Sequence, residues 1–464
     1  MYITISNPKE LWVLALIIAF ITFTILLSFI PISRYIIKIV SNSFVEKLLK
    51  EKYSHNLAEF LTSFKRYTIQ NAIELNLRAE TGKIIARPLG SPKHFLSFEN
   101  LMFAPHQMTR FSLSVNTPVD MKVVLGPKAQ KPVTINIPIM IGAMAYGLAL
   151  SQEAKIALAR AAKTLQTTTC TGEGPFLPEE AQEADKYIVQ ICRWQWGART
   201  PEQLAYADII EVQMGQGADT GTSVIEAIEL EGRAQELGGL EPGQPAEAFP
   251  SPPGLQRPEE WPQFMAQLRE RAQGKPIALK LMATGNLEED LAMAVDLGFD
   301  VIILDGAQGG SHASTPIKQD DFGLPSLNAL IRAERYLKNK NISLVVAGGY
   351  FTPGQCLKAL ALGADAIVMA TVPLFALAHN QAHKVTPWEP ITTLVYYDSP
   401  YKSKLDIDQA ATSVVNTINS MVAEMEEGIR ALGKSSLKEL SPDDLIALDV
   451  MTAENTGVRC IYGN

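Results

Sequence analysis

The stretch Asp300-Val301-Ile302-Ile303-Leu304-Asp305, followed by Gly306-Ala307-Gln308-Gly309-Gly310-Ser311-His312, decides the fold. Its outline recurs twice: Ser343-Leu344-Val345-Val346-Ala347 runs into Gly348-Gly349, and Asp365-Ala366-Ile367-Val368-Met369 runs into Ala370-Thr371. Each is a short β-branched apolar run that ends in small residues, with helical sequence between them. Strands that are apolar throughout are buried on both faces, and their alternation with helices is the signature of a parallel sheet. The three units read as the closing half of a parallel α/β barrel.

Upstream, five further runs bring the count of strands to eight: Pro138–Ala143, Gln166–Cys170, Tyr187–Ile191, Asp208–Gln213 and Pro276–Leu281. Eight alternating units are what a closed barrel requires. Helices are expected at Gln152–Thr164, 225–238 and Glu259–Gln273 within the barrel. Others follow it at Pro373–His383, Leu405–Gly433 and Ser441–Met451, the last opened by a Ser441 cap with Pro442 in the first turn. The fold class is α/β, a (β/α)8 TIM barrel with an N-terminal transmembrane helix and C-terminal helices.

The transmembrane expectation rests on Leu11 to Ser33, an uncharged run dense in Leu, Ile and Phe and long enough to cross the hydrocarbon. No small-x-small cleavage site precedes Arg34, so the run reads as an uncleaved anchor. Arg34, Lys38, Lys47, Lys50 and Lys52 follow it, against Lys9 before it, which orients the rest of the chain to the cytoplasm. The division expected is 1–33 as anchor, 34–132 as an amphipathic and wrapping segment, 133–383 as the barrel, and 384–464 as a C-terminal segment packing on it. An amphipathic helix is expected from Arg34 to about Lys65, and mixed structure over 66–132.

The formal net charge of -8 argues against a nucleic-acid binder, which needs a basic face. The four cysteines (Cys170, Cys192, Cys356 and Cys460) are scattered without metal or redox spacing and read as free thiols in a reducing compartment.

Several motifs fall at strand ends, where barrels of this class bind ligands. The turns Ala347-Gly348-Gly349 and Ala370-Thr371 offer backbone N–H groups and a hydroxyl to a phosphate. Gly309 and Gly310 permit close approach of a ligand after the sixth strand. Lys280 ends an otherwise apolar strand, so it points into the mouth, where it would stabilise negative charge on a reduced flavin ring. Together these predict a flavin mononucleotide (FMN) barrel. Gly215-Gln216-Gly217-Ala218-Asp219-Thr220-Gly221 is not a dinucleotide fingerprint, because the spacing is G-x-G-x3-G. Its Gln216 remains as an amide aimed at the mouth, and Glu173 in Thr171-Gly172-Glu173-Gly174 is a candidate general acid or base. His312 lies in a site loop. His379 and His383, four apart, have metal spacing but no third ligand, so no metal is expected.

Ile141 through Gly147, Thr171-Gly172-Glu173-Gly174, Glu211 through Gly217, Leu279-Lys280-Leu281, Asp305 through Pro316 and Ala347-Gly348-Gly349 resemble the FMN-binding synthase domain of glutamate synthase. The likeness is strongest to archaeal-type, single-domain members. It covers roughly residues 100–455. It implies FMN on the barrel's C-terminal face and reduction of the iminoglutarate formed from 2-oxoglutarate and ammonia. Matched residue by residue, Gly348, Gly349, Ala370 and Thr371 fall at the phosphate, Ala143 and Met144 at the flavin edge, Lys280 facing the flavin, and Gln216 at the mouth. Thr171, Gly309 and Gly310 complete the expected cofactor set; Lys280, Gln216 and Glu173 make the expected catalytic set.

The chain departs from the family where its chemistry is wired. The family's cluster cysteines follow the eighth strand, yet no cysteine lies between Cys356 and Cys460, and His379, Val385 and Pro390 stand there instead. No iron–sulfur cluster is expected, so electrons must come from a separate donor protein or reduced cofactor. Gln213 and Asp219 stand where the family has lysines, and Cys170 and Phe176 where it is polar. No amidotransferase or NADPH-binding domain is expected. The leading reading is a membrane-anchored FMN oxidoreductase making glutamate. An FMN enzyme acting on another small molecule, a 2-hydroxy acid or amine, and a non-catalytic membrane-bound module stay open, as does a homo-oligomer.

Overall fold

The computed structural model describes residues 8–56, 58–311 and 314–462, in two compact units, Met1–Ile85 and Ala86–Asn464. The first unit holds two helices, α1 (Pro8–Lys50) and α2 (Glu59–Thr81), with α2 interrupted at Thr68, whose φ is 61°. Within α1, the span Leu11–Lys50 contains an 18-residue window of mean hydropathy 2.9, none of it buried. It is long and apolar enough to cross a membrane. Its hydroxyls bond back to their own helix, Thr22 to the Ile18 carbonyl at 2.8 Å, Thr24 to Phe20 at 2.7 Å and Ser28 to Thr24 at 2.8 Å. These three hydroxyls therefore have partners without water. The helix runs unbroken past Ser33, so the expected amphipathic helix from Arg34 is its continuation, and part of the mixed structure expected over 66–132 is α2.

In the second unit eight parallel strands form the ring: β1 (Ile139–Ile141), β2 (Thr168–Cys170), β3 (Lys186–Ile191), β4 (Ile209–Gln213), β5 (Ile277–Met282), β6 (Val301–Asp305), β7 (Ser343–Ala347) and β8 (Ala366–Met369). From β2 to β8 each strand pairs with the next, and β8 returns to β1, with Ile367 opposite Ile139. The β1–β2 seam has no ladder. It is held by the Asn136 N–H to the Gln166 carbonyl at 3.0 Å and the Thr167 hydroxyl to the Ile139 carbonyl at 2.6 Å. Closure is plain from the interior. One buried apolar cluster takes Met140, Cys170, Ile188, Ile209, Ala278, Ile303, Val345 and Ala366, a residue from every strand. Val123, Leu125 and Ile135, from the hairpin that pairs Val123–Leu125 with Val133–Ile135, join this cluster, and the Gly126 N–H bonds Ser343 at the start of β7. That hairpin plugs the N-terminal end, so the open end is the one where the strands finish.

Alternation along the strands sets what faces that opening. On β4, β5 and β6, Ile209, Ala278 and Ile303 point inward, and two residues further on the same parity brings Glu211, Lys280 and Asp305 into the upper barrel. Outside, α3 (Gln152–Leu165) and the later long helix Ile407–Ala431 pack together on the larger core cluster.

Two expected helices are corrected. Over 225–238 there is a 3-10 turn, Ala227–Leu230, and a short helix, Arg233–Leu237, flanked by a hairpin pairing Ser223–Ile225 with Ala246–Ala248. At 441–451, Leu445–Ala447 is a strand paired antiparallel with Leu101–Phe103, and the helix is Val450–Thr456. The Ser441 cap survives on a 3-10 turn, its N–H bonded to Asp444 at 2.8 Å. Pairing with a partner distant in sequence overrode local propensity at both places.

Truncating Ile303, 2% exposed in the barrel interior, leaves a cavity the ring cannot collapse around. Ile303→Ala should cost about 2–5 kcal/mol, read as a lower denaturant midpoint. An unchanged midpoint would contradict a packed interior.

Candidate active site

The phosphate-type turns lie side by side. Gly348 and Gly349 have φ of 102° and 78°, which L side chains rarely adopt. A Cβ on Gly348 would stand 2.8 Å from the Gly306 nitrogen, and one on Gly349 2.5 Å from the Gln308 Cβ. Ser326 ties this turn to the β6 loop, since its hydroxyl is 2.6 Å from the Gly348 carbonyl and its N–H bonds the Gln308 side chain at 2.7 Å. After β8 comes α4 (Thr371–Ala378), which has no side-chain cap. Among the described residues, the N–H groups of Gly348, Gly349, Thr371 and Val372 make no hydrogen bond. Unpaired first-turn donors beside two glycine N–H groups form an anion cradle. Ala370 meets it from the β1 side, where a Cβ on Gly142 would sit 3.0 Å from the Ala370 Cβ.

Below the mouth lies Lys280. It is 5% exposed, and its ammonium makes neither hydrogen bond nor ion pair among the described residues. Burial acts to lower its pKa, but the charges of Glu211 and Asp305, with smaller help from Cys170 and Glu173, outweigh burial and raise it, so it stays a cation. Glu211 is held by the Gln190 amide, and the Gly217 backbone lies against the Asp305 carboxylate. An ammonium enclosed without a direct partner is costly. Together with the free N–H groups it fits a group carrying a phosphate at one end and an electron-rich edge at the other.

Glu173 stands above, and both tryptophans of the β3 loop hold it. The Trp194 indole N–H reaches its Oε2 at 3.0 Å, and Trp196 reaches its carbonyl at 2.8 Å, the two rings stacking 5.6 Å apart. Burial first, then the charge of Asp219, push the Glu173 carboxyl up to about 7, poised to hold or release a proton near neutrality. The Gln213 amide lies 3.5 Å from the same Oε2.

The strand-end loops are locked from behind by two buried cations that sequence reading passed over. Lys155, on α3 and 1% exposed, donates to the carbonyls of Met144 at 2.7 Å, Cys170 at 2.8 Å and Thr171 at 3.3 Å, and pairs with Glu180 at 2.9 Å. It bridges the β1–β2 seam where the ladder is missing. Arg199 bonds the carbonyls of Gln190 at 2.8 Å, Gly172 at 3.1 Å and Gly174 at 2.8 Å. The only early signal was a lysine on the apolar face of a helix.

Of the expected site residues, Thr171 is buried with its hydroxyl engaged, donating to the Gly172 carbonyl and accepting from the Gln190 N–H, both at 2.9 Å. Ala143 packs against the barrel interior, and Met144 enters through its carbonyl. Gly309 covers Asp305, where a Cβ would lie 2.6 Å from Oδ1, and Gly310 lies against Leu89, whose N–H bonds the Ser311 carbonyl at 3.1 Å. Gln216 is half-buried, its backbone bonded both ways to Asp219 at 3.1 and 3.2 Å. His312 lies outside the described residues. His379 and His383 fall in a 3-10 turn, where positions four apart do not share a face, and among the described residues no cluster of metal-binding side chains occurs.

Removing Lys155 leaves Glu180 buried without its cation, so Lys155→Met should cost about 3–5 kcal/mol in a denaturant titration, and adding Glu180→Gln should recover part of it. Glu173 binds its proton more tightly in the folded chain than its ordinary 4.5. Stability should therefore fall as pH rises from about 4.5 to about 7, and Glu173→Gln should remove that fall. A pH profile identical in both proteins would contradict the enclosed carboxyl.

Residues 93–435 match the family described as the conserved region in glutamate synthase. A glutamate synthase large subunit-like protein of Rhizobium meliloti is 32% identical over 415 residues, covering 84% of this chain and 92% of that protein. An archaeal-type glutamate synthase [NADPH] of Thermotoga sp. is 27% identical over 410 residues, covering 81% and 79%. An oxidized active mutant of (S)-mandelate dehydrogenase superposes with a TM-score of 0.48 at 15% identity, over 75% of this chain and 88% of that one. With a family match over more than half its length and the first of these relatives aligned almost end to end, the chain belongs to the glutamate-synthase-like family of FMN-binding (β/α)8 oxidoreductases.

Proposed function

We propose that this chain is a membrane-anchored oxidoreductase that binds FMN across the barrel mouth and acts at a carbon–nitrogen bond of a small substrate. The observation that carries the reading is the pairing of an anion cradle on β7 and β8 with an unpartnered buried ammonium on β5. The N–H groups of Gly348, Gly349, Thr371 and Val372 hold the phosphate, with the Thr371 hydroxyl beside them. Ala143 and Met144 line the ring's edge, and Gly309 and Gly310 keep the β6 loop close to it. Lys280 faces the pyrimidine edge, where its fixed charge favours the reduced, anionic ring. FMN bound there supplies hydride exchange with a substrate carbon.

The protein's own groups do the rest. Glu173, held by Trp194 and poised near neutrality, carries the proton to or from the substrate nitrogen. Gln213 fixes that carboxyl, and Gln216 stands at the entrance. Glutamate synthesis, for which the relatives are named, is the reference member of this reaction class, and 2-oxoglutarate with ammonia is the leading substrate pair. A separate electron carrier completes turnover. The cysteine-free stretch between Cys356 and Cys460 supports the absence of an internal cluster after β8. Helix α1 keeps the barrel at the membrane, and the basic residues after it favour a cytoplasmic barrel.

The full chain, purified gently in detergent, should carry a flavin spectrum and release FMN on denaturation. Lys280→Met should lower the reduction potential of the bound flavin while leaving it bound. A colourless protein that takes up no added FMN would sink the reading, and an unshifted potential would remove the role given to Lys280.

A further inference from the structure

The β3 loop brings a cation that no motif announced. Arg193 is 2% exposed, and all three nitrogens of its guanidinium are occupied: Nη1 by the Gly221 carbonyl at 2.5 Å, Nη2 by Asp219 at 3.4 Å and Nε by the Gln213 side chain at 3.5 Å. Lys318 approaches the other Asp219 oxygen at 3.9 Å and also bonds Ser223 at 3.3 Å. Among the described residues, Lys280 is the remaining cation of the mouth. Facing these three stand four carboxyls, Glu173, Glu211, Asp219 and Asp305. Lys155 and Arg199 lie behind the loops and point at backbone carbonyls.

That balance decides what charge the mouth accepts. A dicarboxylate needs two cations free to turn toward it; Arg193 and Lys318 already face Asp219, which leaves Lys280 alone. An amine meets an open acceptor. Glu173 Oε1 accepts no hydrogen bond among the described residues, because Trp194 and Gln213 both bond Oε2. Deeper in the same mouth Asp305, only 7% exposed, lies covered by Gly217 and Gly309 with the Gly217 backbone against its carboxylate, so it contributes charge and leaves Glu173 Oε1 as the acceptor open to a ligand. Buried acceptors left unpaired within the protein mark where a ligand's donors belong.

We infer that the mouth is selective by charge: Asp219 occupies Arg193, and Glu173 with Asp219 reserves the space over Lys280 for a primary amine without a second carboxylate, in preference to a 2-oxo dicarboxylate. This rests on the FMN reading above and narrows it to a substrate class. Asp219 acts on substrate choice partly through Arg193, so replacing it changes the charge offered to a ligand; the replacement also lets the Glu173 carboxyl release its proton more readily, while the Lys280 and Glu173 side chains stay in place.

The test is calorimetric and needs no turnover. Full-length protein loaded with FMN is reduced and kept anaerobic, so that neither ligand can react, and is titrated with n-butylamine and, separately, with 2-oxoglutarate in the absence of ammonia. The native protein should bind the amine at least about tenfold more tightly, a difference well within reach of titration. Asp219→Lys should reverse the order, and the milder Asp219→Asn, which keeps the side-chain shape, should narrow it. Native protein binding 2-oxoglutarate as well as or better than the amine, or a preference unchanged in both variants, would overturn the inference. FMN loading is read first from the flavin spectrum. A protein that takes no FMN defeats the function proposed above, whereas an FMN-loaded protein that prefers 2-oxoglutarate defeats only this step.

Discussion

A lysine ammonium enclosed in the upper barrel without a hydrogen-bond partner is the constraint around which the rest of this molecule is arranged. Desolvating such a charge costs several kcal/mol unless opposite charge stands near. Here Glu211 and Asp305 supply it from the neighbouring strands β4 and β6, at ion-pair range of neither, so the ammonium stays charged and stays available. That arrangement is possible only in a closed ring. β5 pairs in register with both neighbours, Lys280 opposite Gln213 on one side and Ile303 on the other. The hairpin plug at the bottom and the apolar layer from all eight strands keep water from reaching the charge from below.

The same economy of charge explains the loops. Lys155 and Arg199 are buried cations that neutralise no ligand; they gather backbone carbonyls, whose alignment fixes the Met144 and Gly172–Gly174 turns. Lys155 is also the brace at the one seam without a ladder. Beyond the strand ends, Tyr146 from the loop after β1 and Trp194 from the loop after β3 join Tyr397 in a separate small apolar core. Family membership and an altered mouth are compatible for this reason: the scaffold is set by apolar strands and buried braces, while substrate charge is set by a few side chains such as Asp219 and Arg193.

The eight strands were legible because each is a short apolar run bounded by small residues, and burial on both faces leaves no other use for such a run. The glycine turn after β7 was legible because positive φ leaves few alternatives to glycine, and the turn after β8 because the small Ala370 and the Thr371 hydroxyl stand at a strand end. Arg193 was not. Its meaning depends on β3 lying beside β4, which puts its guanidinium against Gln213 and Asp219, residues distant in sequence. The strands Ser223–Ile225 and Leu445–Ala447 were missed for the same reason, since their partners are other distant segments, Ala246–Ala248 and Leu101–Phe103. That Gln213 and Asp219 are not basic was visible in the sequence, but the arginine lying against them was not, so only the structure shows that a cation is present there and already paired.

The most direct measurement is amide hydrogen exchange on the purified chain with FMN and with riboflavin, which is the same ring system without the phosphate. FMN should protect the amides of Gly348, Gly349, Thr371 and Val372 strongly, and riboflavin should leave those four exchanging as in the free protein. Equal protection by both, or none by FMN, would contradict a phosphate cradle at the ends of β7 and β8.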